Sequence, residues 1–165
     1  FVRVNDNLGE YFEMMEKIAK QLAELSANIA QFERQNVDVS NASIGWQIDH
    51  CLLVINGIIG QIEISDPSKF QPKWTFPKFM VFTTGKIPSG KAKAPKVVIP
   101  TQVATQEELF AKLAAAKNNV LKLDSFSENQ FFNHPYFKDL NVKQTKKFLM
   151  IHTKHHLKII EDILK

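Results

Sequence analysis

Apolar residues recur every seven positions through the first part of the chain. Leu8, Met15, Leu22 and Ile29 form one row, and Tyr11, Ile18, Leu25 and Phe32 a second beside it. Two such rows make a narrow apolar seam on one long helix, about Leu8 to Phe32. The seam stops and further helical patterns follow, so a bundle helix is expected rather than a coiled coil. Ser40, Asn41 and Ser43 are N-cap candidates for a second helix, about Ile44 to Ile64. Trp46, His50, Leu53, Val54, Gly57 and Ile58 share one of its faces. Gly57 and Gly60 are costly inside a helix and suggest that another backbone or a ligand comes close there.

From about Ser65 to Ala104 the pattern breaks. Six of the seven prolines fall here, at 67, 72, 77, 88, 95 and 100, so no single regular element can span it. A short helix or strand is expected at Phe79 to Thr83, within a long connection. Lys86, Lys91, Lys93 and Lys96 make it the most basic part of the chain, either a solvated loop or a lid that binds an anion. Thr105-Gln-Glu-Glu108 is a capping box that opens a third helix, about Gln106 to Leu123. Ser125 to Leu140 reads as a loop whose Phe126, Phe131, Phe132, Tyr136 and Phe137 pack over the end of the helices. Asn141 can cap a fourth long helix, about Val142 to Leu164. Its lysines 143, 147, 154 and 158 fall on one side. Thr145, Phe148, Leu149, His152, His156, Ile159 and Ile163 fall on the other. Met150 and Leu157 face the polar side, as if toward a partner. The expected fold is all-α: one domain over residues 1–165, with four long helices and a Pro/Lys-rich crossover between the second and third.

Composition narrows the function only by exclusion. No apolar run approaches the roughly 18 residues of a membrane span, so no membrane is expected. The formal charge of +4 is mild, and Arg3 and Arg34 are the only arginines, which argues against nucleic acid. The single cysteine, Cys51, excludes an internal disulfide and any multi-cysteine zinc site, and fits a reducing cytoplasm. No signal peptide is visible. The start at Phe1 leaves a removed preceding segment open.

The histidines carry the chemistry. His152 and His156 are one turn apart at the centre of an apolar stripe, a spacing that lets two imidazoles chelate one ion. His50 lies on the inward stripe of the second helix. If those two helices are neighbours at matching height, three imidazoles converge. Three histidines with an open fourth position are a catalytic type of metal site. The plain alternative is three hydrogen-bonded core histidines. His155 lies about 60° from the stripe centre, a rim position. His134, before Pro135, is either structural or a proton-relay group. Cys51 points away from His50 by about 100° and is not counted as a ligand. Asp49 points off the stripe and is a poor general base.

Trp46-Gln-Ile-Asp-His50, followed by His152-Thr-Lys-His-His156 on the last helix, resembles the DinB/YfiT-like superfamily of metal-binding four-helix proteins. Asn133-His-Pro-Tyr-Phe137 and the Lys/Pro/Gly segment at Gly85 to Lys91 are similar to one of its uncharacterised branches. The resemblance implies a four-helix bundle in which His50, His152 and His156 hold a divalent metal such as Zn, Ni or Fe. Some relatives use low-molecular-weight thiols as co-substrates. It therefore implies a metal-dependent thiol S-transferase acting on a small molecule. Attack by a metal-held hydroxide would instead make it a hydrolase, and His155 and His134 are further catalytic candidates by position. The rival reading is a metal-binding or homodimeric interaction module without turnover.

Overall fold

The computed structural model describes residues 2–88 and 96–165, without the side chains of residues 2–8, 10 and 11. Leu8 and Tyr11 of the heptad seam therefore lie outside the described side chains. Lys91, Lys93, Pro95 and the end of the Gly85–Lys91 segment lie outside the described residues altogether. The described chain is mainly helical, with α1 (Val2–Asn28), α2 (Ile44–Glu63), α3 (Phe76–Thr84), α4 (Gln106–Lys122), α5 (Val142–Leu164) and one small hairpin. None of the described helices is long and apolar enough to cross a membrane.

The four long helices pack side by side, α5 between α1 and α2, and α2 between α5 and α4. Their directions follow from cross-helix bonds. Asp49 pairs with Lys112, Asn56 with Asn119 and Glu63 with Lys122, so α2 and α4 run parallel. Gln47 meets His156 and His50 meets His152, so α2 and α5 run antiparallel. Two parallel neighbours cannot be joined by a tight turn, which is why a long crossover lies between α2 and α4.

The helices α2, α4 and α5 begin where the sequence supplies a cap. The Ser43 hydroxyl accepts from Trp46 N–H, and Thr105 with Glu108 and Asn141 with Gln144 each form a reciprocal capping box. On α1, Ile18, Leu22, Leu25 and Ile29 are buried while Met15 and Phe32 are half-buried, so the seam faces the interior. The last turn tightens to a 3-10 helix at Ile29–Gln31 and stops short of Phe32.

Three expectations need correction. A Cβ at Gly57 or Gly60 would meet nothing within 4 Å, so neither marks a close approach. That role falls to Gly45, whose Cβ would lie 2.9 Å from the Phe32 carbonyl oxygen, where the turn after α1 meets the start of α2. The Phe79–Thr83 element is a longer helix: Thr75 caps α3, and Gly85 ends it at φ +65, a left-handed conformation glycine adopts freely. Ser125–Leu140 is not loop throughout. It contains the hairpin β1 (Phe131–His134) and β2 (Lys138–Asn141), pairing Phe131 with Asn141 and His134 with Lys138. Phe132, Phe137 and Leu140 enter the core from it. Asp139 is buried and accepts from Gln71 N–H and Asn133 Nδ2, which ties the start of the crossover to the hairpin.

Met150 and Leu157, which the sequence places on the polar side of the last helix, lie at the edge of the core. They are half-buried against the core and line a groove of about 800 Å³ between α1 and α5, where the Gln21 amide donates to the Met150 carbonyl.

Candidate metal centre

α2 supplies His50 and α5 supplies His152 and His156. Antiparallel packing sets them at one height. All three are buried, and one ring nitrogen from each lies within 4.8 Å of the others. Ring centroids are 5.1 Å apart for His50 and His152, 4.7 Å for His50 and His156, and 4.6 Å for His152 and His156.

Hydrogen bonds fix which nitrogens face inward. His50 Nδ1–H donates to the Val98 carbonyl at 2.6 Å, leaving Nε2 as a lone pair. His156 Nδ1–H donates to Gln47 Oε1 at 2.6 Å, with the same result. A bound imidazole usually has this arrangement, one nitrogen on the metal and the other N–H held by an oxygen. His152 Nε2 lies 3.2 Å from His50 Nε2. Two nitrogens each about 2.0–2.1 Å from one zinc at a tetrahedral angle are separated by about 3.3 Å. His152 Nδ1 is buried with no hydrogen-bond partner, so its ring lacks the oxygen that holds the other two. The residues therefore suit a divalent ion with imidazole preference.

Burial holds the three imidazoles neutral, the form that binds metal. Loss of solvation lowers the pKa of His50. It lowers that of His156 to about 3 and that of His152 well below the ordinary value, with further depression from neighbouring histidines. Trp46 stacks on His50 at 5.1 Å, and the Phe148 ring lies 5.6 Å from His152, so aromatic faces wall the cluster.

The other sequence candidates lie around the cluster. His155 is half-buried, its ring edge-on to His156 at 5.1 Å, a rim position. His134 ends β1. Its ring stacks on Phe137 at 4.1 Å and its Nδ1 accepts from the N–H groups of Tyr136 and Phe137. That leaves only an Nε2–H on a neutral ring to donate. Asp49 is buried in an ion pair with Lys112 at 2.6 Å, a tie between α2 and α4. Burial pushes the Cys51 thiol up, so this cysteine is inert at neutral pH. Of the crossover lysines, Lys96 lines a cleft of about 280 Å³ with Asp49, Glu108 and Lys112.

Two partners were not foreseen. Gln47 sits one turn before His50, and a buried glutamine in an apolar helix was its only signal. The Val98 carbonyl had no signal, since every residue carries one. Replacing Gln47 by leucine is expected to weaken zinc binding about 10- to 100-fold with helicity unchanged, measured by competition with a chromophoric chelator. An unchanged affinity would mean that His156 is oriented by packing alone.

His134 gives a pH prediction. Burial lowers its pKa to about 4 from 6.5. Between those values the unfolded chain takes up a proton that the folded chain does not. Stability is therefore unaffected above about pH 6.5 and falls as the pH drops toward 4. The parent should lose roughly 2 kcal/mol more than His134→Asn between pH 7 and pH 4.5, read from urea midpoints. Equal losses would show that His134 does not resist protonation in the fold.

No protein-family model, curated protein or solved structure matches the chain, so the functional reading rests on these residues and their geometry.

Proposed function

We propose that the chain is a metal-dependent enzyme with a DinB/YfiT-like four-helix bundle, its ion held by His50, His152 and His156. The carrying observation is the convergence of three buried imidazoles, two with the far nitrogen already held by an oxygen. Zinc, nickel or iron suits such a set. When bound, the ion supplies Lewis acidity, enough to make water or a small thiol a nucleophile near neutral pH. The chain's own residues do the rest. Val98 and Gln47 aim the rings, Trp46 and Phe148 exclude water, and His155 stands at the rim as a proton carrier. The supported reactions are thiol S-transfer to an electrophile and hydrolysis, on a small-molecule substrate.

One observation favours a second reading. All three ligands are at most 8% exposed, a degree of closure that suits a structural ion in a module without turnover, alone or as a homodimer. The test is to load the protein with zinc, nickel or iron(II) and assay it with a panel of low-molecular-weight thiols and chlorodinitrobenzene, and with activated esters. Metal-dependent turnover that disappears in His152→Ala supports the enzyme. Metal binding with no turnover on any substrate class supports the module.

A further inference from the structure

We propose that the first half of the crossover, residues 67–88, is a docking face for an anionic phospholipid bilayer. This is independent of the metal centre.

The charge of the chain is polarised. Residues 67–106 hold seven of the 21 basic side chains, all lysine, and none of the 17 acidic ones. The remainder of the chain is therefore slightly acidic. Lys91 and Lys93 lie outside the described residues and form no part of the proposed face. Lys69, Lys73 and Lys86 are exposed within it. Lys69 pairs with the exposed Asp66, 3.6 Å away. Lys78 is half-buried near Asp139 and is not counted as free charge.

The same stretch breaks the usual surface rule for apolar side chains. Trp74 is 73% exposed, Phe76 62%, Phe79 50% and Met80 41%. Phe76, Phe79 and Met80 fall at i, i+3 and i+4, so they share one face of α3. The Trp74 ring lies 6.4 Å from that of Phe79, which joins the segment leading into α3 to that face. The opposite side of α3 already packs inward, through Val81 and through Phe82 against Phe137. Thus α3 is apolar on both sides, and its outer side is exposed among the described residues. A cluster of bulky exposed side chains on one short element marks an interaction site.

The residue types favour lipid over other partners. Phenylalanine, methionine and tryptophan inserted at the headgroup boundary, with lysines reaching to anionic headgroups, is the chemistry of an interfacial helix. Nucleic acid would favour arginine, and residues 67–106 contain none. An acidic protein surface would satisfy the lysines but not the four bulky apolar side chains together.

The test is flotation of the full chain with vesicles of phosphatidylcholine alone or mixed 3:1 with phosphatidylserine, at low and at physiological salt. Emission from Trp74 is followed in parallel. Binding is expected to the mixed vesicles only, to weaken with salt, and to shift emission to the blue. The shift should vanish in Trp74→Phe. Each lysine near an anionic surface is worth about fivefold in affinity. Lys69→Glu/Lys73→Glu should therefore weaken binding at least 25-fold, by about that factor per residue. Phe76→Ser/Phe79→Ser should abolish the blue shift. Both pairs are exposed, so circular dichroism should match the parent. Three results would overturn the proposal. One is no flotation with mixed vesicles. Another is equal flotation with phosphatidylcholine alone. The third is binding to a single-stranded oligonucleotide that tolerates the Phe76/Phe79 change, which would assign the lysines to nucleic acid.

Discussion

His152→Ala is expected to lower zinc affinity more than 100-fold while leaving the helical content intact. The estimate follows from ranking the contacts. Removing a hydrogen-bond partner of a ligand costs about 10- to 100-fold, and removing a ligand costs more. His152 is one corner of the triangle, its Nε2 3.2 Å from His50 Nε2 and its ring one turn from His156. Without it, two nitrogens remain, each still held by its oxygen. The fold should tolerate the change, because His152 brings one buried nitrogen without a partner. Its removal relieves that cost as well as opening a small cavity. Thermal denaturation supplies a second readout. An ion at 100 times its Kd stabilises the parent by about 2.7 kcal/mol. His152→Ala should gain nothing from the same concentration. A variant that still gains the full amount would place the ion elsewhere.

Lys112→Met is expected to cost about 3 kcal/mol of stability at pH 7, a large change for a substitution at a partly exposed position. Its effect falls on Asp49, which is 3% exposed and whose Oδ1 lies 2.6 Å from Lys112 Nζ. Taking away the ammonium leaves a carboxylate buried without its counter-charge. Removing both charges, in Asp49→Leu/Lys112→Met, should restore most of the loss, since an apolar pair replaces a desolvated ion pair at little net cost. Urea unfolding of the two variants beside the parent measures both steps. A loss below about 0.5 kcal/mol in the single variant would class the contact with exposed surface pairs. The pair also matters for position: Asp49 immediately precedes His50, and its bond sets α2 against α4.

Most of the helical frame was legible because it is written in side-chain periodicity and caps. The starts of α2, α4 and α5 agree with the sequence reading to the residue, each carrying a Ser, Thr or Asn cap that the structure uses. The hairpin was not legible. Its strands are four residues each, too short for alternation to show, and the Pro135 and Asn133 around its turn read as loop. Gly57 and Gly60 misled because glycine says only that a side chain is missing. Gly45, the glycine that does admit a close backbone, depends on a contact with Phe32 across a loop. The histidine triad was legible as a pair plus a conditional third. The i, i+4 spacing is local, whereas His50 needed the pairing of α2 with α5. What orients the rings was hidden, since Val98 contributes only its backbone and Gln47 resembles any other helix glutamine.

The most direct test of the central claim is anomalous diffraction at the zinc edge, on crystals of the protein grown with one equivalent of zinc. The account predicts one strong peak among the three imidazoles, about 2.0–2.1 Å from the inward nitrogen of each. It also predicts that His50 Nδ1 stays on the Val98 carbonyl and His156 Nδ1 on Gln47. No peak between His50, His152 and His156, with zinc bound only at surface groups, would contradict it and leave the three histidines as core residues.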